Sequence, residues 1–546
     1  FDADLGLSRF QAQLLYNRGI RSAEDAHTFM NPDSDLSHDP GLLPDIIPAV
    51  ERLSGALDSG EMIGIFGDFD TDGITSTALL VRAFSGLGGR VLPYLPDRVE
   101  EGHGLNTDAL RRLQESGVTL LVTVDCGSTA TDEINFAAEL GIDVIVTDHH
   151  TIHGAPPSPV ALINPKTSAS LYPYTELTGV GIAFKLAQAL YKKLGLDLPP
   201  DLMELVALGT VADVGPLTGE NRYLVKEGIE RINASANPGI RALARVSGYE
   251  MGTLDANSLS FGLIPRLNAA GRLGHAGNSL DLLTSTDINR ATAIASELEI
   301  QNRRRQTFTE SGVAQADAQI RRQHPTDSPS LIVVGHASWE PGILGLIAGR
   351  INDSYYRPAI AVQIGTKVSR ASARSIPEFD IISAMETCAP LFTKYGGHAR
   401  AAGFTIATER MRELVARLRE IADIDMKGTQ LQPELAIDCD ALPSEVEGSN
   451  FDFVQGLSPF GESNPTPVFA ARGIRVLEAR GVGGGKHLKM RLADAEKSWD
   501  AIAFRQGYQT RIARTYIDVA YSLEWNTWQG RKTLQMIVSD IKPAGS

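Results

Sequence analysis

The sequence predicts an α/β protein with several domains: a parallel-sheet domain, a long helix, a smaller α/β domain and a C-terminal β-barrel. Three observations predict this architecture. Short β-rich runs alternate with helical segments between residues 61 and 150, as in a parallel sheet with right-handed crossovers. A proline-free stretch with helical spacing of apolar residues runs from Asp281 to Gln323. From Lys427 onward, short strands and turn residues replace most helical patterns.

Each domain boundary follows a change in this pattern, and at 546 residues the chain is too long for one hydrophobic core. Residues 1–50 read as a helical lead-in that includes "SRFQAQLLYNRG". We predict the parallel-sheet domain over 51–280, the connecting helix over 281–325, the second α/β domain over 326–426 and the β-barrel, of OB-fold type, over 427–546.

Composition and charge restrict the class of protein. An apolar fraction of 43% and a charged fraction of 21% are ordinary for a globular protein, and neither a transmembrane run nor a signal peptide is expected. The cysteines Cys126, Cys388 and Cys439 lack CxxC spacing, which favours reduced thiols and a cytoplasmic location. The net charge of −15 argues only weakly against a nucleic-acid ligand, because bound cations reverse the local field.

Segments of the first α/β block end in acidic or imidazole side chains. These side chains are Asp68, Asp70 and Asp72, then Asp125, then Asp148, His149 and His150, and finally Asp213. If the first three segments are neighbouring parallel strands, their C-terminal ends converge at one edge. Carboxylates so close together require a counter-cation. Carboxylate with imidazole suits Mn²⁺ or Mg²⁺, and two cations roughly 3.5–4 Å apart would use this many ligands.

Each of these segments taken alone has a simpler explanation. An Asp after a strand often caps the next helix, and Asp72 before "GITSTALL" fits that role. A pair of histidines is more often structural than a metal ligand. Four such segments in one α/β block favour a metal site. We also expect an extended backbone to direct Asp68, Asp70 and Asp72 to the same side.

The motifs resemble those of a known superfamily. "GDFDTDG", "VTVDCG", "TDHH" and "VADV" match in order and spacing the four motifs of the DHH phosphoesterases. The segments "PDRVEEGHGLN", "RLNAAGRLGHA", "ASARSIPEFDI" and "GGHARAAGF" further resemble the bacterial RecJ family of single-strand-specific exonucleases. This likeness extends through nearly the whole chain.

The resemblance implies a 5′→3′ exonuclease that degrades single-stranded DNA to 5′-mononucleotides with two divalent cations, Mn²⁺ or Mg²⁺, in DNA repair and recombination. We expect Asp125 to bridge the cations, and the other ligands to be Asp70, Asp72, His149 and Asp213. His150 is expected to polarise the phosphate or protonate the leaving group. Asp68 is expected to act either as a ligand or as a support for the ligands.

A 5′ exonuclease must hold a terminal phosphate, which Arg forks, hydroxyls and backbone amides do well. The residues predicted for this site are Arg98, Asn106, Arg272, Ser372, Arg374, Gly397 and His398. The resemblance assigns the segments of Arg374 and His398 to the DHH-associated domain, on the 5′-phosphate side.

In the C-terminal block, "GVGGGKHLKMRL" is not a nucleotide-binding loop, because His487 follows Lys486 where such loops have Ser or Thr. Lys486, Lys489 and Arg491 are expected to follow a DNA backbone. The aromatic residues Trp499, Phe504 and Trp528 are expected to be either stacking platforms or core residues.

Two other functions are open on the sequence alone. One is a catalytically inactive DHH-type scaffold that binds DNA, which the intact motifs argue against. The other is a DHH oligonucleotide or nucleoside-bisphosphate phosphatase, which the terminal β-block argues against. Single-stranded DNA with a free 5′ end is the expected substrate, and single-strand-binding protein and a helicase are candidate partners. We expect a monomer without membrane association.

Overall fold

The structure, a computed structural model, describes residues 6–98, 100–152, 154–325, 329–494, 497–511, 515–528 and 531–545. The described chain divides into two compact units. One comprises Asp39–Asp213 and Glu227–Pro433, and the other comprises Phe1–His38, Val214–Lys226 and Glu434–Ser546. The chain therefore leaves the larger unit directly after Asp213. The domain boundaries predicted from the sequence stay predictions.

Helices precede the first sheet, as the apolar spacing predicts. They are α1 (Arg9–Asn17), α2 (Ala23–Met30) and α3 (Ile46–Ser59). A capping box of Ser8 and Gln11 begins α1. Gly60 ends α3 with a φ of 68°, a left-handed conformation that glycine adopts without strain.

In the described chain, the first sheet has five parallel strands in the order β2-β1-β3-β4-β5. Their bounds are β1 (Met62–Gly67), β2 (Arg90–Tyr94), β3 (Val118–Val124), β4 (Asp143–Thr147) and β5 (Ala161–Ile163). Helices α4 (Thr71–Gly86), α5 (Thr107–Glu115) and α6 (Thr131–Glu139) connect them. Because β1, β3 and β4 are neighbours, the predicted convergence of their C-terminal ends is confirmed.

More helices follow the sheet along the chain. They are α7 (Gly179–Leu194), α8 (Met203–Ala212), α9 (Gly219–Asn233), which begins in the smaller unit and ends in the larger one, α10 (Pro238–Val246), α11 (Ile264–Leu273) and α12 (Gly277–Thr284). Helices α4, α7 and α8 pack against one another. The residues of α8 are almost all apolar and buried, as in Leu205, Val206 and Leu208, which is typical of an interior helix. Asp213 follows its last residue.

The long connecting helix, α13, runs over Ile288–Gln323. Its predicted start at Asp281 is wrong, because α12 ends at Thr284 and a new helix begins after Asp287. The Asp287 carboxylate accepts hydrogen bonds from the backbone N–H of Asn289 at 2.7 Å and of Arg290 at 3.1 Å. This cap satisfies amides that a helix start leaves unpaired.

The second α/β domain contains a mixed sheet in the order β6-β7-β8-β10-β9. Its strands are β6 (Ile332–His336), β7 (Ala359–Gln363), β8 (Val368–Arg374), β9 (Phe392–His398) and β10 (Ala401–Ala407). The helices are α14 (Leu344–Tyr355), α15 (Ile381–Glu386) and α16 (Met411–Asp425). Strand β10 pairs with both β8 and β9, so the segments that contain Arg374 and His398 flank the same strand.

The C-terminal region is a β-barrel, as predicted. Its elements are β11 (Cys439–Asp440), α17 (Ser449–Gly456), β12 (Phe469–Val482), β13 (His487–Asp494), β14 (Lys497–Ala503), β15 (Tyr516–Trp528) and β16 (Arg531–Pro543). Within the described residues, β12 to β16 form a closed five-stranded ring, because β12 pairs with both β13 and β15. Alternate residues of β13, Leu488, Met490 and Leu492, fill its core.

The cysteines are free thiols. Cys126 and Cys388 are buried, and Cys439 is half-buried. Among the described helices, none is both long and apolar enough to cross a membrane.

Candidate metal centre

The first acidic segment forms the junction between β1 and α4. Oδ1 of Asp70 accepts hydrogen bonds from the backbone N–H of Asp72 at 3.0 Å and of Gly73 at 3.2 Å, so Asp70 is the helix cap. Asp72 lies in the first turn of α4. The capping role considered for Asp72 therefore belongs to Asp70, and the extended backbone expected through Asp72 is wrong.

The start of α7 fixes the carboxylate of Asp72. Oδ2 accepts from the backbone N–H of Gly179 at 2.7 Å, and Oδ1 accepts from that of Val180 at 2.9 Å. Such amides are unpaired within a helix and favour negative charge. A Cβ on Gly179 would lie 2.7 Å from Cβ of Asp125 and 2.9 Å from Oδ2 of Asp72. Glycine thus allows the α7 backbone to contact two carboxylates at once.

Asp125 follows β3 and lies among the acidic groups from the other segments. Its φ is 60°, which is uncommon for a residue with a Cβ, and its N–H donates to the Thr147 carbonyl of β4 at 3.1 Å. Nε2 of His149 lies 3.0 Å from Oδ1 of Asp125 and 3.7 Å from Oδ2 of Asp213. Residues of the first α/β domain that are far apart in sequence therefore meet at one point.

Asp148 orients His150. The buried Asp148 carboxylate accepts from the backbone N–H groups of Ser128, His149 and His150 at 2.8, 2.7 and 3.1 Å. It also lies 2.7 Å from Nδ1 of His150. The His150 side chain is 44% exposed, so its Nε2 is the ring nitrogen that is left for a substrate. The sequence analysis identified Asp148 as part of the third motif but did not predict that it orients His150.

Burial and mutual repulsion act on the carboxylates of this centre. Desolvation and the charges of neighbouring aspartates raise the pKa of Asp72 and Asp125 well above the usual range. Desolvation and the charge of Asp70 raise the pKa of Asp213 to about 7. Buried carboxylates that repel one another are stabilised by a cation. The electrostatics of the centre therefore fit a metal site.

The two histidines differ in protonation. Desolvation and the charge of His150 lower the pKa of His149 to about 3, so this ring is neutral and has a free nitrogen lone pair for a metal. The hydrogen bond to Asp148 raises the pKa of His150 to about 9 in spite of desolvation. For Asp148 itself, burial raises the pKa, but the hydrogen bond and charge of His150 outweigh burial and hold it below the usual range.

Among the described side chains, three overlapping groups have potential ligand atoms within 4.8 Å of one another. The groups are Asp68, Asp70 and Asp125; Asp72, His149 and Asp213; and Asp125, His149 and His150. Asp125 belongs to two groups, as a carboxylate between two cations would. Oδ2 of Asp68 lies 3.2 Å from Nδ1 of His103. Its buried Oδ1 has no hydrogen-bond partner among the described residues.

Arg98, Arg272 and Arg374, predicted for the phosphate site, lie close enough to influence one another. Burial and the charges of Arg98, Arg305 and Arg374 lower the pKa of Arg272 to about 9. Burial and the charge of Arg98 lower the pKa of Arg374. Guanidinium groups held together in this way are stabilised by an anion. Arg305 of α13 also acts on Arg272 but was not predicted for the phosphate site, because nothing in the sequence distinguishes it from Arg303 and Arg304.

The other predicted phosphate-site residues have different environments. Oγ of Ser372 accepts a hydrogen bond from Nη1 of Arg374 at 3.2 Å. Residues 397–398 end the exposed strand β9. Asn106 caps α5, where its Oδ1 accepts a backbone N–H at 2.8 Å, and its Nδ2 donates to Oε2 of Glu101 at 3.1 Å. Both polar groups of Asn106 thus have partners within the chain.

The basic residues predicted to bind DNA lie on β13 and in the turn before it. Lys489 and Arg491 are on the outer face of the barrel, because the buried side chains of β13 alternate with them. Arg491 donates to Oγ of Ser498 at 3.1 Å and lies opposite Asp500 on β14. Lys486 is exposed in the turn.

The aromatic residues considered as stacking platforms also differ. Trp499 is buried in the barrel core, so a stacking role for it is wrong. Phe504 is 53% exposed. The side chain of Trp528 lies outside the part of the chain that the structure describes.

Comparisons with known proteins identify the family. The profile of the DHH family N-terminal domain matches residues 62–210, that of the DHHA1 domain matches 328–423, and that of the RecJ OB domain matches 437–540. The single-stranded-DNA-specific exonuclease RecJ of Bacillus subtilis is 34% identical over 541 residues, which are 98% of this chain and 68% of the relative. The corresponding protein of Dickeya dadantii is 35% identical and matches 97% of this chain and 95% of its own.

A solved structure agrees with these matches. The crystal structure of RecJ in complex with Mn²⁺ from Thermus thermophilus has a TM-score of 0.83 and 33% sequence identity. The alignment covers 100% of this chain and 77% of that one. The fold, the order of the domains and the identity over nearly the full length agree, and this chain belongs to the RecJ family of single-stranded-DNA-specific exonucleases.

Proposed function

We propose that the chain is a metal-dependent 5′→3′ exonuclease that hydrolyses single-stranded DNA to 5′-mononucleotides in DNA repair and recombination. The observation that carries this proposal is the meeting of Asp70, Asp72, Asp125, His149 and Asp213 beyond the C-terminal ends of β1, β3 and β4. Relatives that match nearly the whole chain are named as single-stranded-DNA-specific exonucleases.

Mn²⁺ or Mg²⁺ is the cofactor that fits these side chains. Asp125 would bridge two cations, and the remaining ligands would be Asp70, Asp72, His149 and Asp213. The fit rests on buried carboxylates that repel one another, a neutral imidazole and the unpaired Oδ1 of Asp68. Cations bound here would lower the pKa of water and neutralise the charge that develops on the scissile phosphate.

His150 would supply the proton for the departing 3′-oxygen. Its Nδ1 is held by Asp148, and its raised pKa keeps the ring protonated at neutral pH. The Nε2–H then donates to a phosphate oxygen or to the leaving group. Asp68 would hold the β1–α4 junction through the contact of its Oδ2 with His103, and its unpaired Oδ1 would be available as a further ligand.

The arginine cluster would determine that the enzyme degrades a strand from its 5′ end. A 5′-phosphate suits Arg98, Arg272 and Arg374, because guanidinium groups form paired hydrogen bonds to phosphate oxygens. Ser372 lies two residues before Arg374 on β8, and residues 397–398 end β9, which β10 separates from β8. Each cut that releases a 5′-mononucleotide leaves a new 5′-phosphate on the strand. The shortened strand therefore carries the same 5′-phosphate group that the arginine cluster would bind.

The other two functions are less well supported. An inactive scaffold needs no ligand set, whereas the side chains of all four motifs lie within reach of one another here. A phosphatase of small nucleotides needs no strand-binding barrel. We also propose a cytoplasmic monomer that acts beside a helicase and single-strand-binding protein.

Asp125→Asn tests the proposed function, because it removes one charge and keeps the size of the side chain. We expect cleavage of single-stranded DNA to fall at least about 1,000-fold and Mn²⁺ binding, measured by calorimetry, to weaken. Affinity for the strand in EDTA should be unchanged. Asp132→Asn, an exposed carboxylate on α6, is the matched control. Normal turnover by Asp125→Asn would exclude the two-cation assignment.

A further inference from the structure

The segment that follows β5 carries polar side chains to which the four motifs give no role. It is "INPKTS", residues 163–168. Strand β5 runs parallel to β4, and the Ile163 carbonyl accepts a hydrogen bond from the N–H of Asp148 at 3.1 Å. The residues after Ile163 therefore lie beside His149 and His150, at the edge of the metal centre.

Asn164 is fully buried and joins this segment to the metal centre. Its Nδ2 donates to the His150 carbonyl and to Oγ of Ser128, both at 2.9 Å. Its Oδ1 accepts from the backbone N–H of Lys166 at 2.9 Å. A buried amide with its hydrogen bonds satisfied makes the surrounding backbone rigid. Asn164 thus fixes the backbone of Lys166 relative to that of His150.

The Lys166 side chain lies beside two of the predicted metal ligands. Burial and the charge of His150 lower the pKa of His149, and the charge of Lys166 lowers it further. Burial and the charge of Asp70 raise the pKa of Asp213, and the charge of Lys166 acts against that rise. His149 and Asp213 belong to the same group of potential metal ligands, so the ammonium group lies at that part of the centre.

The ion pair that Lys166 makes is easily exchanged. Nζ lies 3.7 Å from Oε2 of Glu176, and the two side chains are 27% and 47% exposed. An ion pair of this kind contributes little to stability, so an anion bound in the centre can replace Glu176 at little cost. A positive charge beside a cation site weakens cation binding unless an anion lies between them. The position of Lys166 therefore suits a phosphate that the cations also contact.

We propose that Lys166 binds a non-bridging oxygen of the scissile phosphate and stabilises the charge that develops there, with Asn164 as its positioning residue. The inference rests on the proposed function and adds a residue to its catalytic centre. Burial raises the pKa of Asp70 and the charge of Arg98 opposes that rise, whereas Lys166 acts on Asp213. The two positive charges therefore act on different ligands. A strand whose 5′-phosphate is held by the arginines would present its next phosphate to the cations and to Lys166.

The test uses Lys166→Met, which removes the charge and keeps the length of the side chain. In a single turnover, release of the first nucleotide should slow about 100-fold. Mn²⁺ affinity, measured by calorimetry, should be equal or higher, because a positive charge beside the cations is lost. Lys166→Arg should restore most of the rate. Glu176→Gln is the matched control, because it breaks the same ion pair but keeps Lys166, and it should cleave at the wild-type rate.

A strand with a methylphosphonate in place of its second internal phosphate identifies the phosphate that Lys166 binds. Lys166→Met should show the same loss on this strand as on unmodified DNA, because the scissile phosphate is unchanged. A loss on unmodified DNA alone would overturn the proposal, since Lys166 would then bind the second phosphate.

Three further results would also overturn the proposal. They are wild-type cleavage by Lys166→Met, a lower Mn²⁺ affinity in that variant, and the same slow cleavage in Glu176→Gln. The last two would show that Lys166 acts through the fold or through its ion pair. A wild-type protein that releases no 5′-mononucleotide would instead reject the proposed function.

Discussion

Gly179→Ala should damage the metal centre although it adds only a methyl group to a helix. The new Cβ would lie 2.7 Å from Cβ of Asp125 and 2.9 Å from a carboxylate oxygen of each of Asp125 and Asp72. Carbon atoms in ordinary contact are about 3.5 Å apart. The carboxylates would therefore have to move by roughly 0.5–1 Å, whereas metal–ligand distances tolerate only about 0.2 Å.

The expected effect follows from these distances. A shift of this size in groups that hold a cation should lower Mn²⁺ affinity about 10- to 100-fold, and cleavage by up to about 100-fold. The fold should persist. An overpacking cost of about 1–3 kcal/mol is small beside the roughly 5–15 kcal/mol by which native proteins are stable.

Calorimetric titration with Mn²⁺ and a single-stranded DNA cleavage assay would measure these losses. Gly181→Ala on the same helix is the control, because the nearest atoms to its Cβ all belong to the Leu177 side chain, with Cδ2 at 3.3 Å and Cβ at 3.4 Å, and none is a carboxylate oxygen. Wild-type Mn²⁺ affinity and cleavage in Gly179→Ala would refute the reasoning that α7 positions the two carboxylates.

The remaining predictions concern the phosphate site and the proton donor. Arg374→Ala should reduce the preference for 5′-phosphorylated over 5′-hydroxyl strands, measured as a ratio of kcat/KM values; an unchanged ratio would exclude Arg374 from the pocket. His150→Gln should lower kcat by about 100-fold or more. Because the pKa of His150 is raised to about 9, the active protonated ring is present at neutral pH and is lost as the pH rises through 9. The wild-type rate should therefore fall on that alkaline side, and a fall of the same shape in His150→Gln would contradict the assignment.

Much of the site could be predicted because its signals are local. Each apolar run that becomes β1, β3 or β4 is followed at once by Asp or His, so the residues that converge can be read from the chain once the strands are parallel. The alternation of apolar and basic residues in "LKMRL" likewise predicts a strand with one buried face.

Other features depend on contacts between distant residues and could not be predicted. The backbone turns into α4 before Asp72, which then pairs with amides more than 100 residues away at the start of α7. Arg305 lies close enough to Arg272 to lower its pKa only because α13 packs against α11. Residues 214–226 belong to the same unit as the barrel, although the residues before and after them belong to the larger unit. No change in composition marks these two boundaries.

The most direct test of the central claim is digestion of one DNA strand labelled at its 5′ end or at its 3′ end. Reactions would contain Mn²⁺ or EDTA, with a blunt duplex as the comparison. With Mn²⁺, the 5′ label should appear as a mononucleotide from the earliest time points, while the 3′-labelled strand shortens progressively. The duplex and the EDTA reactions should stay intact. Early release of the 3′ label, internal cuts or cleavage in EDTA would contradict a metal-dependent 5′→3′ exonuclease.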